Sequence, residues 1–417
     1  MYLSSRGAGG AASRPVNWLT PQRLLGCSGV IVCVYVGFLA TWGWVSHGFA
    51  SGNAGRPGID FSIFWAASHL VLQGHSAQVY EHIAFIDAQK DLFGDFADVH
   101  SLGWVYPPAF LLFVSPLGLL PFSTAYLLFV AVSAGCYVWA TTSVSNVHRG
   151  LGGKRVAVLL VAALPGAFVA AIVGQNSLIT AALAALAVCW VAEKPVAAGL
   201  CIGLLAIKPQ VALVFPFVLI ASRAWKAFVA AALTAVVTTA AGILMYGIHS
   251  LTAFFTNAGV LRDALLDHGG QHFWFASPTT LSTLRLAGVP LGAAYAGQAC
   301  VASVALVAAC DVWQRCADTR LRAAAVTLAG LLASPYVWHY ELVWLGIALV
   351  CLAALALEGG WLRGEQPAWL AGWLLPIYEH FNRIAMLPQV GPLVLLVLLW
   401  AVLRRVRLGA ASIGSGT

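Results

Sequence analysis

Residues 24–45 read Leu24-Leu-Gly-Cys-Ser-Gly-Val-Ile-Val-Cys-Val-Tyr-Val-Gly-Phe-Leu-Ala-Thr-Trp-Gly-Trp-Val45, without one charged side chain. A bilayer's hydrocarbon core takes about 20 apolar residues of helix to cross, so this run spans it. The rest of the chain repeats the message. Hydrophobic residues make up 60% of the 417, charged residues 9%, and mean hydropathy is +0.86. Soluble domains carry about 25% charged residues, which excludes that class. The runs lack the every-second-residue alternation of a barrel, and helix is the other form that satisfies its own backbone in lipid. The expected fold is an all-α polytopic membrane protein.

The 22 Lys and Arg exceed the 15 Asp and Glu, for a net charge of +7. No basic block is long enough for nucleic acid, so the excess orients the chain through its cytoplasmic loops. Arg6, Arg14 and Arg23 precede the first run and place residues 1–23 inside as a cytoplasmic tail. The first run, with no clear cleavage site after it, reads as a retained signal-anchor. Nine cysteines include no C-x-x-C pair, so neither a zinc site nor a disulfide framework is indicated.

Residues 24–407 read as one transmembrane domain with a C-terminal tail at 408–417, and 46–105 as its first external loop. Two interfacial helices are expected in that loop, over about 61–74 and 80–93, with Asp60 as N-cap of the first. Further helices are expected over roughly 108–120, 123–144, 156–173, 177–192, 196–206, 210–222, 226–247, 278–288, 291–312, 322–333, 337–357, 368–378 and 390–404. Several are too short to cross fully. One parity conflict stands: Arg149, Lys154 and Arg155 favour an inside loop, whereas two crossings between 106 and 145 put it outside.

Ionisable and amide groups within apolar sequence are costly, so they mark candidate sites. Asp60 leads Asp60-Phe-Ser-Ile-Phe-Trp-Ala-Ala-Ser68 at a membrane boundary, in a chain nearly devoid of acids. It is the candidate catalytic group. Lys208 sits before Pro209 and Gln210 with apolar residues on both sides, which suits a cation at a cavity wall facing a phosphate. Gly174-Gln175-Asn176-Ser177 offers amides for a sugar or phosphate head group. His339 and Glu341 open a long apolar run, and Tyr106-Pro-Pro re-enters the membrane after the loop. Donor-binding candidates are thus Lys208, His339, Gln175, Asn176 and Tyr106, with Glu341, Gln210, Trp65 and His272 secondary. His272 belongs to His268-Gly-Gly-Gln-His272, whose glycines suit a gating loop better than a metal site. No P-loop, dinucleotide fingerprint or serine-hydrolase elbow is present.

Asp60-Phe-x-x-Phe-Trp-x-Ala, Leu70-x-x-x-Gly74 with Tyr80-Glu81, Tyr106-Pro-Pro, Gly174-Gln-Asn, Lys208-Pro-Gln and Ser334-Pro-Tyr-x-x-His-Tyr-Glu together resemble glycosyltransferase family 87. The motifs run in the family's order from about 58 to 345. The resemblance implies a GT-C-like fold of about 11–13 spanning or partly spanning helices. It also implies an inverting transferase in the bacterial inner membrane, with its active site on the periplasmic face. The donor would be a polyprenyl-phosphate sugar, typically mannose, and the acceptor a glycolipid or glycan. Asp60 would be the general base, and no metal or redox cofactor is called for. Glu341, where the family more often has Asp, and the short C-terminus are departures. A flippase for a lipid-linked sugar, or a non-catalytic assembly subunit, are the competing readings. Widely separated Asp60, Lys208 and His339 would favour the last.

Overall fold

The computed structural model describes residues 17–49, 55–94 and 103–414. Helix α1 (Pro21–Val45) starts at Thr20, whose hydroxyl accepts from the Arg23 amide. The loop beyond it holds α2 (Ile59–Leu72), α3 (Ser76–Tyr80) and α4 (His82–Phe93). Helix α5 (Pro108–Val114) and a 3-10 turn over Ser115–Leu119 fold back onto α2, where the Ser68 hydroxyl donates to the Val114 carbonyl at 2.7 Å. Helix α2 is packed more deeply than a helix resting on a surface, because Phe61, Phe64, Ala66 and Ala67 are all fully enclosed.

Helix α6 (Phe122–Ser145) is a full-length span. It is followed by α7 (Lys154–Ala162) and α8 (Pro165–Val173), which meet at a 64° bend forced by Pro165. Next come α9 (Ser177–Trp190), α10 (Pro195–Leu204), α11 (Pro209–Ala212), α12 (Val214–Ala221) and α13 (Trp225–Tyr246). The chain closes with α14 (Ile248–Leu261), α15 (Phe273–Ala276), α16 (Thr280–Leu286), α17 (Leu291–Arg315), α18 (Thr319–Ala333), α19 (Val343–Gly359), α20 (Glu365–Ala385) and α21 (Gly391–Gly414). Among the described residues five helices are long and apolar enough to cross a membrane, namely α1, α6, α13, α17 and the segment His339–Gly359, or six if the bent pair α7–α8 is one span. The chain is a polytopic helical membrane protein, as its sequence indicates.

Contacts between the ends of these helices define two faces. On one, the Trp361 indole donates to the Leu19 carbonyl at 3.0 Å, and Arg405 pairs with Glu365. On the other, the Gly58 amide donates to the Ile172 carbonyl at 2.7 Å, the Tyr126 hydroxyl to Ala171 at 2.8 Å, and Ser115 meets Tyr246 at 2.8 Å. These facts remove the parity conflict. The 108–120 stretch does not cross; it stays on the Asp60 face beside α2. After α1, and among the described residues, only α6 crosses before residue 146, and Gly150 then lies against Leu357, near the Arg320–Glu358 pair. The Arg149, Lys154 and Arg155 loop therefore shares a face with Leu19.

The segments 195–207 and 209–221 are 13 residues each, roughly 20 Å of helix against a core of about 30 Å. They form a broken pair that dips in, turns at Lys208-Pro209 and returns. Gly199 and Gly203 set this dip against α13, since a Cβ at Gly199 would lie 2.5 Å from that of Ala230. Small residues at a four-residue spacing let membrane helices approach this closely. Helix α14 was not legible as a helix in the sequence, and α20 extends seven residues past the expected 378. Those seven residues bear on the site.

Candidate active site

The bend between α8 and α9 presses on the start of α2. Gly174 has φ +74, and a Cβ there would lie 2.5 Å from Phe61 Cβ and 3.1 Å from the Tyr126 ring. Gly58, at φ +82, is equally constrained, its Cβ position being 2.8 Å from Tyr126. Only glycine allows both the left-handed backbone and the close approach. Gly174→Ala is expected to push the bend off α2, lowering thermal stability and weakening any activity that needs Asp60 and Gln175 together. A melting curve on the purified variant checks this, and an unchanged midpoint would contradict the packing argument.

Asp60 does not cap α2. Gly58 occupies the N-cap and Asp60 lies in the first turn, because the left-handed glycine starts the helix two residues earlier than the spacing suggested. The carboxylate is thereby left for other partners. Its Oδ2 accepts from Gln175 Nε2 at 3.0 Å, and Oδ1 has no partner among the described residues. Gln175 Oε1 accepts from the Tyr106 hydroxyl at 3.1 Å and from the Asn176 amide at 2.9 Å, which orients its NH2 toward Asp60. Three separated motifs, at 60, 106 and 175, thus meet in one chain of hydrogen bonds.

Lys208 sits at the tip of the broken pair, 3% exposed. Its Nζ lies 2.6 Å from Glu341 Oε1, and donates to Asn176 Oδ1 at 2.7 Å and Ser177 Oγ at 3.0 Å. The Tyr340 ring is 5.3 Å away. An ammonium has three N–H donors, and all three are engaged. Lys208 therefore joins protein to protein, where the sequence suggested an open cation awaiting phosphate. Glu341 is its buried counter-charge.

His339 occupies a 3-10 turn, His339–Leu342, ahead of α19. It is 2% exposed, and neither ring nitrogen has a hydrogen-bond partner among the described residues. Its ring centroid lies 4.9 Å from that of His380 on α20. Of the secondary candidates, Glu341 belongs to this cluster through Lys208, whereas Trp65, Gln210 and His272 make no hydrogen bond with it among the described residues. Trp65 donates to the Leu120 carbonyl at 2.9 Å and stacks on His69, a packing role. Gln210 is half-exposed and unbonded among the described residues, and His272 is exposed, with Phe275 beside it. The sequence reading missed Tyr340, His380 and Arg383. The last two lie on the seven residues by which α20 outruns its expected end, and their signal was two basic residues three apart after an apolar helix.

Burial pushes the Asp60 carboxyl up to about 6, although its own surface is only half covered. The Gln175 hydrogen bond and the charges of Lys208 and Arg383 oppose that rise, and Glu341 adds to it. A carboxylate with that affinity can take a proton near neutral pH. No group of three His, Cys, Asp or Glu capable of holding a metal occurs among the described residues. A lipid-facing cleft of about 450 Å³ between α17 and α21, lined by Val307, Asp311 and Arg407, lies toward the opposite face.

No curated protein and no solved structure matches the chain. The family model of glycosyltransferase family 87 matches residues 104–335, more than half of its length. That span includes Tyr106, Gln175, Asn176 and Lys208; Asp60 lies outside it but is joined to it by the Gln175 hydrogen bond, and His339 lies outside it, two residues before Glu341. With a membrane-spanning helical fold and this match, the chain belongs to glycosyltransferase family 87.

Proposed function

We propose that this membrane glycosyltransferase takes its sugar, mannose or another hexose, from a polyprenyl-phosphate donor and passes it to a lipid or glycan acceptor. The observation that carries this reading is the Asp60 carboxylate, tethered through Oδ2 to Gln175 and open at Oδ1. The clustering of Arg149, Lys154, Arg155 and the α21 arginines with Leu19 supports an inside location for that face. Asp60 would then face the periplasm of a bacterial inner membrane. A lipid-borne donor suits a site on that side, where nucleotide sugars are scarce.

The acceptor oxygen attacks the anomeric carbon and forms the new glycosidic bond, while its proton passes to Asp60. The bond from that carbon to the phosphate oxygen breaks, and the electron pair leaves with polyprenyl phosphate. Attack opposite the leaving group inverts the anomeric centre. Gln175 holds the base, Tyr106 and Asn176 hold Gln175, and the Lys208–Glu341 pair fixes the bend that carries them. His339 has unspent ring nitrogens for the leaving phosphate. The step is written without a metal or redox cofactor.

Purified protein incubated with a radiolabelled polyprenyl-phosphate sugar and a total lipid extract should yield a labelled product. Label that never leaves the donor, or transfer supported only by a nucleotide sugar, would defeat the reading. The pH profile gives a second test. A base at about 6 must be deprotonated to act, so kcat/KM should rise through pH 6 and level off above 7. An acid limb centred near 4 would be inconsistent with the buried carboxylate.

A further inference from the structure

We infer that Arg383, with His380 and His339, forms the seat for the phosphate group of the lipid-linked donor, on the wall of the site contributed by the end of α20. This rests on the donor reading above and names the residues that would hold that donor's charge. Lys208 and Arg383 are the cations whose fields act on Asp60. Lys208 is cancelled by Glu341 at 2.6 Å, and its remaining N–H groups go to Asn176 and Ser177. Arg383 makes no hydrogen bond or ion pair with any described residue and is half-buried. A guanidinium has five N–H donors in a planar fork that matches two phosphate oxygens at once. Those donors, on a half-buried side chain, are free to be taken by a ligand.

Neighbouring geometry points the same way. His380 and Arg383 are three apart on α20, and so share a helix face. His380 meets His339 at 4.9 Å, and Arg383 follows His380 by one turn of α20. Both nitrogens of His339 and Nδ1 of His380 are enclosed without a partner. The adjacent Glu379 makes no ion pair with this cation: its Oε2 accepts from Gln389 at 2.9 Å, and its enclosed Oε1 has no hydrogen-bond partner among the described residues. Asn382 ties the helix end to the Phe275 carbonyl at 2.6 Å and to Leu387, so Arg383 is carried on a fixed support. The unspent nitrogens thus come from two packed elements, the His339–Leu342 turn and α20. A leaving phosphate needs stabilisation as its charge develops.

The test uses the full purified chain and two unsugared probes, polyprenyl phosphate and the uncharged polyprenol, bound in competition with a labelled polyprenyl phosphate. Arg383→Ala is expected to weaken polyprenyl phosphate binding by about 10- to 100-fold, the worth of a charge-assisted hydrogen bond. Polyprenol affinity should not change. Arg383→Lys, which keeps the charge and loses the fork, should fall between the two and covers the case in which the alanine variant does not fold. Equal binding of polyprenyl phosphate by wild type and both variants overturns the assignment and leaves the donor reading standing. A wild-type protein that does not bind polyprenyl phosphate overturns the donor reading and this seat with it. Parallel losses for both probes would make Arg383 a structural residue, and also overturn the proposal.

Discussion

Asp60→Asn lowers turnover by about 10²–10⁴-fold, the usual contribution of a general base, while the protein stays folded and binds donor as before. Asparagine keeps an oxygen for Gln175 Nε2, so the hydrogen bond that positions the side chain survives. What it loses is the capacity to take a proton. Single-turnover transfer with labelled donor measures the loss, and retained turnover would remove Asp60 as base. The same variant carries a stability signature. Burial raises the folded-state carboxyl from 3.8 to about 6, so the folded chain binds the proton more tightly than the unfolded one. Holding Asp60 ionised therefore costs stability, a cost that is absent below the unfolded value and complete above pH 6. Asp60→Asn should melt higher than wild type at pH 7.5 and match it near pH 4. Such a compromise between stability and activity is what the proposed role of Asp60 as base would entail.

Lys208→Ala should cost about 3–5 kcal/mol, because it strands the carboxylate of Glu341 in the interior. The effect is large because Glu341 is fully enclosed and its Oε2 has no other hydrogen-bond partner among the described residues. Asn176 and Ser177 lose their shared donor in the same step. The double variant Lys208→Met with Glu341→Gln should recover most of the stability, since a neutral, space-filling pair carries no desolvation debt. A thermal unfolding series over the two singles and the double gives the coupling. Additive losses would show that the two groups do not interact, contrary to the 2.6 Å approach. The series also separates positioning from phosphate binding. A double variant that refolds the bend and regains turnover would show that the Lys208 charge is not needed by the leaving group.

The fold was legible because apolar helices in lipid are specified locally. Residues 24–45 announce a span by composition alone, as do 122–145 and 225–246. The cost of spending an ionisable side chain in such sequence also marked Asp60, Lys208 and His339. Helix α14 escaped notice because its polar residues blur the apolar signal, and the end of α20 because Tyr378 to Arg383 reads as loop chemistry. Its helical continuation is fixed from outside, by Asn382 bonding to Phe275 and Leu387.

By itself the sequence determined that the chain is a helical membrane protein and which rare polar groups had to matter, since burial cost is a property of the residue and its run. Only the tertiary structure decided their roles. Partnership depends on distances between segments more than a hundred residues apart, which no local pattern encodes. It turned Lys208 from an open cation into the mate of Glu341, and by giving the N-cap to Gly58 it left the Asp60 carboxylate to pair with Gln175.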